Sequence, residues 1–412
     1  MEARTTTTGP GKKKKTSPLP QRKERVGAII IGGNFQGLGL LRSLARHDVP
    51  IYLLNNGLCI GRFSKYVKKN YNCPDVKEEA VFLEFLIDLA SQQGLQGWLI
   101  YPNDDETVYF LSRHKKQLEK YYRVTTPPWE IVKSAYDKML TYKLAEKYGI
   151  AIPRTYYPLN AEELDKLDIQ FPVIIKPTIR QPFLRRMKKK AIRVENLGHL
   201  KNEYNKAVKA IESDQALMVQ ELIPGGAQNL FSVGSLSRNG ELLARVVVQR
   251  PRQNPMDFGR SSTFVQTVDI PKLEEIAKKI LGATGYYGLS EVEFMFDPRD
   301  GKYKLLEINA RPWGWHTIAI GAGVDLPYLS YLDTLGENIK RNGFTKGVKW
   351  FRLLTDIPTV IGEILNGRMK VTSYISSLRG KKQEAVLSLR DPMPFIMELV
   401  LIPYLWKKRR AG

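Results

Sequence analysis

Cysteine is nearly missing from this 412-residue chain, which has two, Cys59 and Cys73. Two thiols build no disulfide framework, and neither stands in a metal-site spacing, so the usage fits a reducing compartment. Long apolar runs are missing too. The longest near the C-terminus, Pro394 to Trp406, is interrupted by Glu398 and Pro403 and is too short to span a bilayer. Lys12 to Lys15 have no apolar stretch behind them before Val26, so no secretory signal is expected. No internal repeat is present, and the core lacks the basic patches interleaved with aromatics that a nucleic-acid module uses. The expected location is the cytoplasm, with the inner membrane face open as a peripheral site.

What is present is charge, unevenly spread. The net charge is +22, with 43% hydrophobic and 26% charged residues, an ordinary globular balance apart from its sign. Residues 1–25 contribute +6 and residues 337–412 contribute +9, so 15 of the 22 excess charges lie at the two ends. Tails or peripheral surfaces that meet polyanions are the expectation. Residues 1–24 read as a disordered basic tail. In residues 25–130 apolar strands alternate with helical patterns, which indicates a doubly wound α/β domain. Residues 131–335 mix helices with antiparallel strands, and 336–412 read as a basic helical extension without a trusted strand signal. The class is α/β, in part α+β.

The stretch LSEVEFMFDPRDGKYKLLEINARPWGW, from Leu289 to Trp315, is the most informative. Apolar and polar residues alternate around the turn chemistry of Asp297 to Gly301, which predicts a β-hairpin. A turn centred near Asp300 puts Glu293 opposite Glu307, with Asn309 on the same face and Arg311 just past the strand. Opposed carboxylates destabilise a sheet unless a cation sits between them, and carboxylate and amide oxygens suit Mg²⁺ together with phosphates. These residues alone leave a second reading open, that of solvated side chains on an edge hairpin.

Other motifs are equally two-sided in isolation. The loop Gly32 to Gly39 sits between a strand and a helix, where its amides would meet an anion or merely allow tight packing. It does not fit G-x-G-x-x-G, and the second strand ends in Asn55-Asn56 where a dinucleotide site wants an acid, which weighs against an oxidoreductase. Lys138 and Lys176 are either solvated or point charges for nucleotide phosphates. Gln220 to Gly226 is an apolar strand entering a Pro-Gly linker, suited to offering backbone groups to a purine edge.

Taken in order, four pieces resemble the ATP-grasp superfamily, and within it the carboxylate–amine ligases related to D-aspartate ligase. They are SAYDKMLTYKLAEKYGIAIP, VIIKP, VQELIPGG and GLSEVEF…LLEINARPWG, and the resemblance covers about Val26 to Leu335. It implies an ATP-grasp architecture: the N-terminal domain, an ATP-grasp domain over 131–335 with a lid subdomain at about 150–218, an antiparallel-sheet subdomain, and the extension. It implies ATP phosphates on Lys138 and Lys176, and adenine held by Gln220, Glu221, Leu222 and Ile223. Glu293, Glu307 and Asn309 would hold Mg²⁺, with Mn²⁺ as a substitute, and Arg311 would steady the phosphoryl group. Arg250 or Arg252 would be a further phosphate contact, with Arg250, Arg311 and Lys176 as the catalytic set.

Two departures stand out. The loop after the second lysine is commonly glycine-rich in the family, whereas Gln181 to Lys190 has no glycine but five Lys/Arg, so a basic lid and a solvated charge run are both open. Where an acid often binds ribose, Gln228 is the nearest candidate. His316, expected at the site mouth, reads as structural or substrate-shaping, with assistance to an acceptor amine as the alternative.

The expected function is ATP-dependent ligation of a small-molecule carboxylate to an amine through an acyl phosphate, the partners being an amino acid and a lipid- or nucleotide-linked acceptor. The alternative from another class is a basic membrane- or polyanion-binding protein on the same scaffold. Leu387 to Arg410, apolar residues followed by Lys407 to Arg410, would lie on an anionic membrane or pack on the body.

Overall fold

The computed structural model describes residues 25–211, 216–340 and 342–404. The expected disordered segment 1–24 and the basic run Lys407 to Arg410 lie outside the described residues.

The N-terminal apolar runs form a five-stranded parallel sheet of β1 (Ala28–Ile31), β2 (Ile51–Asn55), β3 (Val67–Asn72), β4 (Leu99–Pro102) and β5 (Arg123–Val124), in the order β3-β2-β1-β4-β5. β1 is buried throughout, as a continuous apolar run in a covered parallel sheet must be. Helices α1 (Phe35–Ala45), α2 (Glu79–Gln93) and α3 (Asp105–Arg113) connect these strands. The Asn34 side chain caps α1 by accepting from the amides of Gln36 and Gly37. A Cβ on Gly37 would lie 2.0 Å from the Gly32 carbonyl oxygen, so tight strand–helix packing alone demands a glycine there.

Helices α4 (Trp129–Tyr136) and α5 (Lys138–Lys147) lead to a small antiparallel sheet of β6 (Thr155–Tyr156), β7 (Val173–Pro177), β8 (Ile192–Val194) and β9 (Leu217–Glu221), in the order β6-β9-β7-β8. Helices α6 (Arg180–Met187) and α7 (Leu197–Val208) belong to the same stretch. A seven-stranded sheet follows, built from β10 (Leu230–Arg238), β11 (Glu241–Asn254), β12 (Ser261–Thr267), β13 (Gly288–Asp297), β14 (Lys302–Asn309), β15 (Lys349–Phe351) and β16 (Lys382–Glu384). Its order is β14-β13-β10-β11-β12-β15-β16.

The two faces of this sheet have different neighbours. Val292, Ile308 and Val247 pack with α8 (Pro271–Thr284). Leu236, Val246, Trp313, Trp315 and Trp350 share one core with Leu326 and Tyr331 of α9 (Leu326–Thr334) and with Ile30 and Leu40 of the N-terminal layer. Because strand residues alternate, Glu291 and Glu293 project from the second face, toward the N-terminal layer.

The observed elements depart from the sequence pattern in several places. The segment SAYDKMLTYKLAEKYG is interrupted at Asp137, which adopts an extended conformation, ends α4 and caps α5 by accepting from the Met139 amide. Part of Gln181 to Lys190 is the helix α6, consistent with long unbranched side chains and no glycine. The C-terminal region is mostly helical but supplies β15 and β16, each three residues long and too short to show a period of two. β3 and β12 also went unread, their alternation masked by runs of polar residues.

Candidate active site

The hairpin β13–β14 pairs Glu291 with Asn309 and Glu293 with Glu307, the register that a turn at Asp300 predicts. Beyond Glu293 the register shifts, leaving Leu306 as the extra residue of a bulge, and the Tyr142 hydroxyl donates to its carbonyl at 2.8 Å. Three carboxylates and an amide therefore share one face. The sequence reading missed Glu291 as a member, although the S-E-V-E alternation carries it.

Bringing three carboxylates together in a low-dielectric place requires compensation. Arg250 of β11 lies 2.5 Å from Glu293 and 3.4 Å from Glu291, and it donates to Ser262 and Ser232. Lys138, first residue of α5, lies 3.1 Å from Glu307. The Trp315 indole donates to Glu291 at 2.9 Å, and the Asn309 amide nitrogen donates to Glu291 and Glu293 at 3.2 and 2.9 Å. Arg311 bridges Asp105 at the start of α3 and the Asn309 Oδ1. Burial, with the neighbouring Glu293 charge, pushes the Glu291 carboxyl up to about 7. Burial opposes the Arg250 charge, but Glu293 and Glu291 overcome it and hold the guanidinium above its ordinary value.

Lys176 ends β7 and donates to the Tyr142 hydroxyl at 2.9 Å. Burial, reinforced by the Lys138 charge, lowers its ammonium to about 7. A lysine that gives up its proton so easily is held where an added anion would be welcome.

Two cavities meet at these groups. The smaller, about 560 Å³, has Lys138 and Lys176 in its wall with Gln220, Glu221, Leu222 and Ile223. The Gln220 side chain is committed to Thr155, and Glu221 to Lys304, Arg299 and the Arg154 amide, so this segment offers a ligand its backbone more than its side chains. The larger, about 1100 Å³, is lined by Asn309, Arg311, Asp105, Phe35 and Trp315 among others. Arg250, Glu293 and Glu307 line both.

Not every expected residue joins them. Gln228 is exposed and outside the lining of both cavities, with its carbonyl accepting from Gln249. Arg252, the alternative to Arg250, lines neither cavity and forms a buried bidentate pair with Asp356 at 2.8 and 2.7 Å. His316 is buried away from the mouth: its Nδ1 lies 2.7 Å from the Trp313 carbonyl, which can only accept, so that nitrogen carries the proton. Burial lowers its pKa to about 4, so the imidazole is neutral. Asn55 at the end of β2 accepts from the Gly33 amide, an internal use for the position a dinucleotide site would give to an acid.

The donor set suits a hard divalent cation. Among the described residues no three His, Cys, Asp or Glu side chains are grouped so as to hold a metal alone. Two carboxylates and an amide oxygen are what Mg²⁺ takes when phosphates complete its shell. Asn309 now turns its nitrogen toward Glu293, so serving a cation requires the amide to turn over.

Residues 213–353 match the family described as ATP-grasp in the biosynthetic pathway with Ter operon. The chain is 23% identical over 299 residues to D-aspartate ligase of Enterococcus faecium, covering 69% of this chain and 70% of that protein. Among solved structures, it resembles an L-amino acid ligase from Bacillus licheniformis with a TM-score of 0.58 at 15% identity, over 76% of this chain and 75% of that one. It also resembles N5-carboxyaminoimidazole synthetase from Staphylococcus aureus complexed with ADP, with a TM-score of 0.60 at 15% identity over 78% and 80% of the two chains.

Proposed function

We propose that the chain is a member of the ATP-grasp superfamily and acts as an ATP-dependent carboxylate–amine ligase. A substrate carboxylate oxygen attacks the γ-phosphorus of ATP and ADP leaves. An amine then attacks the acyl carbon, phosphate leaves with the carbon–oxygen bond electrons, and the amine loses its proton as the amide forms. The observation that carries the reading is the meeting of the two cavities at Arg250, Glu293 and Glu307, which gives a nucleotide and a second substrate one common wall.

In this reading adenine lies against Gln220 to Ile223, and Lys138 and Lys176 face the phosphates. Glu293, Glu307 and Asn309 would hold Mg²⁺, for which Mn²⁺ would be a substitute, and when bound the ion would offset negative charge on the nucleotide phosphates. Arg250 and Arg311, both in the wall of the larger cavity, face the transferring phosphoryl group and the tetrahedral carbon. Glu291 keeps Arg250, Trp315 and Asn309 in place through the contacts described above. Ribose falls to no side chain assigned so far, since Gln228 is displaced from the cavity.

The substrates follow by class: an amino acid or small dicarboxylate as acyl donor, and an amine carried on a lipid- or nucleotide-linked acceptor. No helix among the described residues is long and apolar enough to cross a membrane. A cytoplasmic enzyme whose segment Leu387 to Arg410 touches the inner membrane face is the location that suits such an acceptor. ADP release, screened across amino acids and small dicarboxylates with and without amine acceptors, tests the function. Release that needs both partners, with amide product, is expected; nucleotide turnover indifferent to every carboxylate would overturn it.

A further inference from the structure

Most of the large apolar side chains that the described residues expose lie between Ile357 and Tyr404. They belong to α10 (Leu353–Leu365), α11 (Val371–Ser377), α12 (Met393–Val400) and the turns around them. On α10, Ile357, Ile361 and Leu365 follow one another at intervals of four, which is one face of a helix, and Leu365 is 81% exposed. Val371 and Ile375 do the same on α11. Met393, Ile396, Leu399 and Val400 are exposed on α12.

The opposite faces are fastened inward by charge. Asp356 of α10 takes both bonds from Arg252, which also donates to Ser377 of α11 and lies under the Tyr374 ring, so one buried guanidinium holds the two helices side by side. Glu398 of α12 pairs with Arg352, just before α10. The remaining acids between 353 and 404 are also engaged: Glu363 with Arg368, Asp391 with Arg42, and Glu384 with the amides of Leu353, Val386 and Leu387. All the lysines and arginines of this stretch, Arg368, Lys370, Arg379, Lys381, Lys382 and Arg390, are exposed.

Outward, then, this end of the molecule presents apolar side chains and charge of one sign. A self-complementary contact between two copies would oppose cation to cation. A surface that takes apolar groups between negative headgroups fits both features. We propose that α10, α11 and α12 form a docking face for an anionic lipid bilayer. The inference extends the membrane contact read above for the C-terminal segment, on which it rests for the choice of a bilayer. Thr355, in the first turn of α10, lines the larger cavity, so the same helix is a wall of the acceptor side and of the docking face.

Co-sedimentation of the full chain with vesicles of phosphatidylcholine alone, or of equal parts phosphatidylcholine and phosphatidylglycerol, tests this without nucleotide or substrate. The wild type is expected to bind the anionic vesicles only, more weakly as salt rises. The triple variant Ile361→Asp, Leu365→Asp, Ile375→Asp should bind about tenfold more weakly or less. Its thermal midpoint should stay unchanged, because the three side chains already face water; if it falls, the same positions replaced by Gln repeat the measurement. Wild-type affinity in the triple variant, with loss on replacing Lys407 to Arg410 by Ala, would overturn the face and leave the tail contact standing. Equal binding to neutral vesicles, or self-association abolished by the triple variant in a wild type that ignores vesicles, would also overturn it. None of these results bears on amide formation, which is read by ADP release in lipid-free solution.

Discussion

Tyr142 stands between Lys176 and the bulge of β14: its hydroxyl accepts from the Lys176 ammonium at 2.9 Å and donates to the Leu306 carbonyl at 2.8 Å. One phenol thus ties the lysine at the end of β7 to the strand that carries Glu307. Tyr142→Phe removes both bonds and leaves a carbonyl without its donor, at a cost of about 1–3 kcal/mol. Chemical denaturation should read that loss, and nucleotide affinity should fall with it because Lys176 is no longer held.

Lys176 gives a pH dependence with a definite sign. Burial puts its ammonium at about 7 in the ligand-free protein, below the ordinary lysine value. Phosphate oxygens favour the charged form and raise it, so above pH 7 binding must take up a proton. Affinity for metal-free ATP should therefore weaken as pH rises past 7, by up to about tenfold per pH unit. Calorimetry in buffers of different ionisation enthalpy measures the proton directly. Lys176→Arg should abolish the uptake; proton release by the wild type would contradict the assignment.

Arg250 and Arg252 stand two residues apart and should fail differently. Arg250→Met removes a charge from the wall shared by both cavities and should lower turnover by about a hundredfold or more. Arg252→Met leaves Asp356 buried without its partner, a loss of about 3–5 kcal/mol in stability. The folded fraction of that variant should keep its turnover number. Denaturation curves beside ADP-release rates separate the two.

His316 should be silent in the pH profile of turnover. Its imidazole is neutral, buried and held by the Trp313 carbonyl, so His316→Gln should alter stability and leave the pH at half-maximal rate unmoved.

These contrasts mark what the residues announce by themselves. The period of two in β13 and β14, with a turn rich in Asp and Gly, fixes which side chains face each other, and that alone brings Glu293, Glu307 and Asn309 together. Parity also implicates Glu291, but a carboxylate that serves to hold Arg250 and Asn309 in place has no spacing of its own to announce it. The sequence puts Arg250 in the catalytic set with Arg252 as an alternative phosphate contact; the bulged register of β11 with β12 that separates their surroundings is a tertiary feature invisible in Q-R-P-R-Q. Likewise β15 and β16 exist because a sheet edge was available, since three residues carry too little pattern to declare a strand.

The central claim is that a divalent cation binds between nucleotide phosphates and the pair Glu293 and Glu307. Equilibrium binding of ATP with and without Mg²⁺, in the wild type and in Glu293→Gln with Glu307→Gln, tests it most directly. Mg²⁺ should tighten binding to the wild type, and the double variant should lose that gain while still binding metal-free ATP. The same Mg²⁺ enhancement in both proteins would contradict the account.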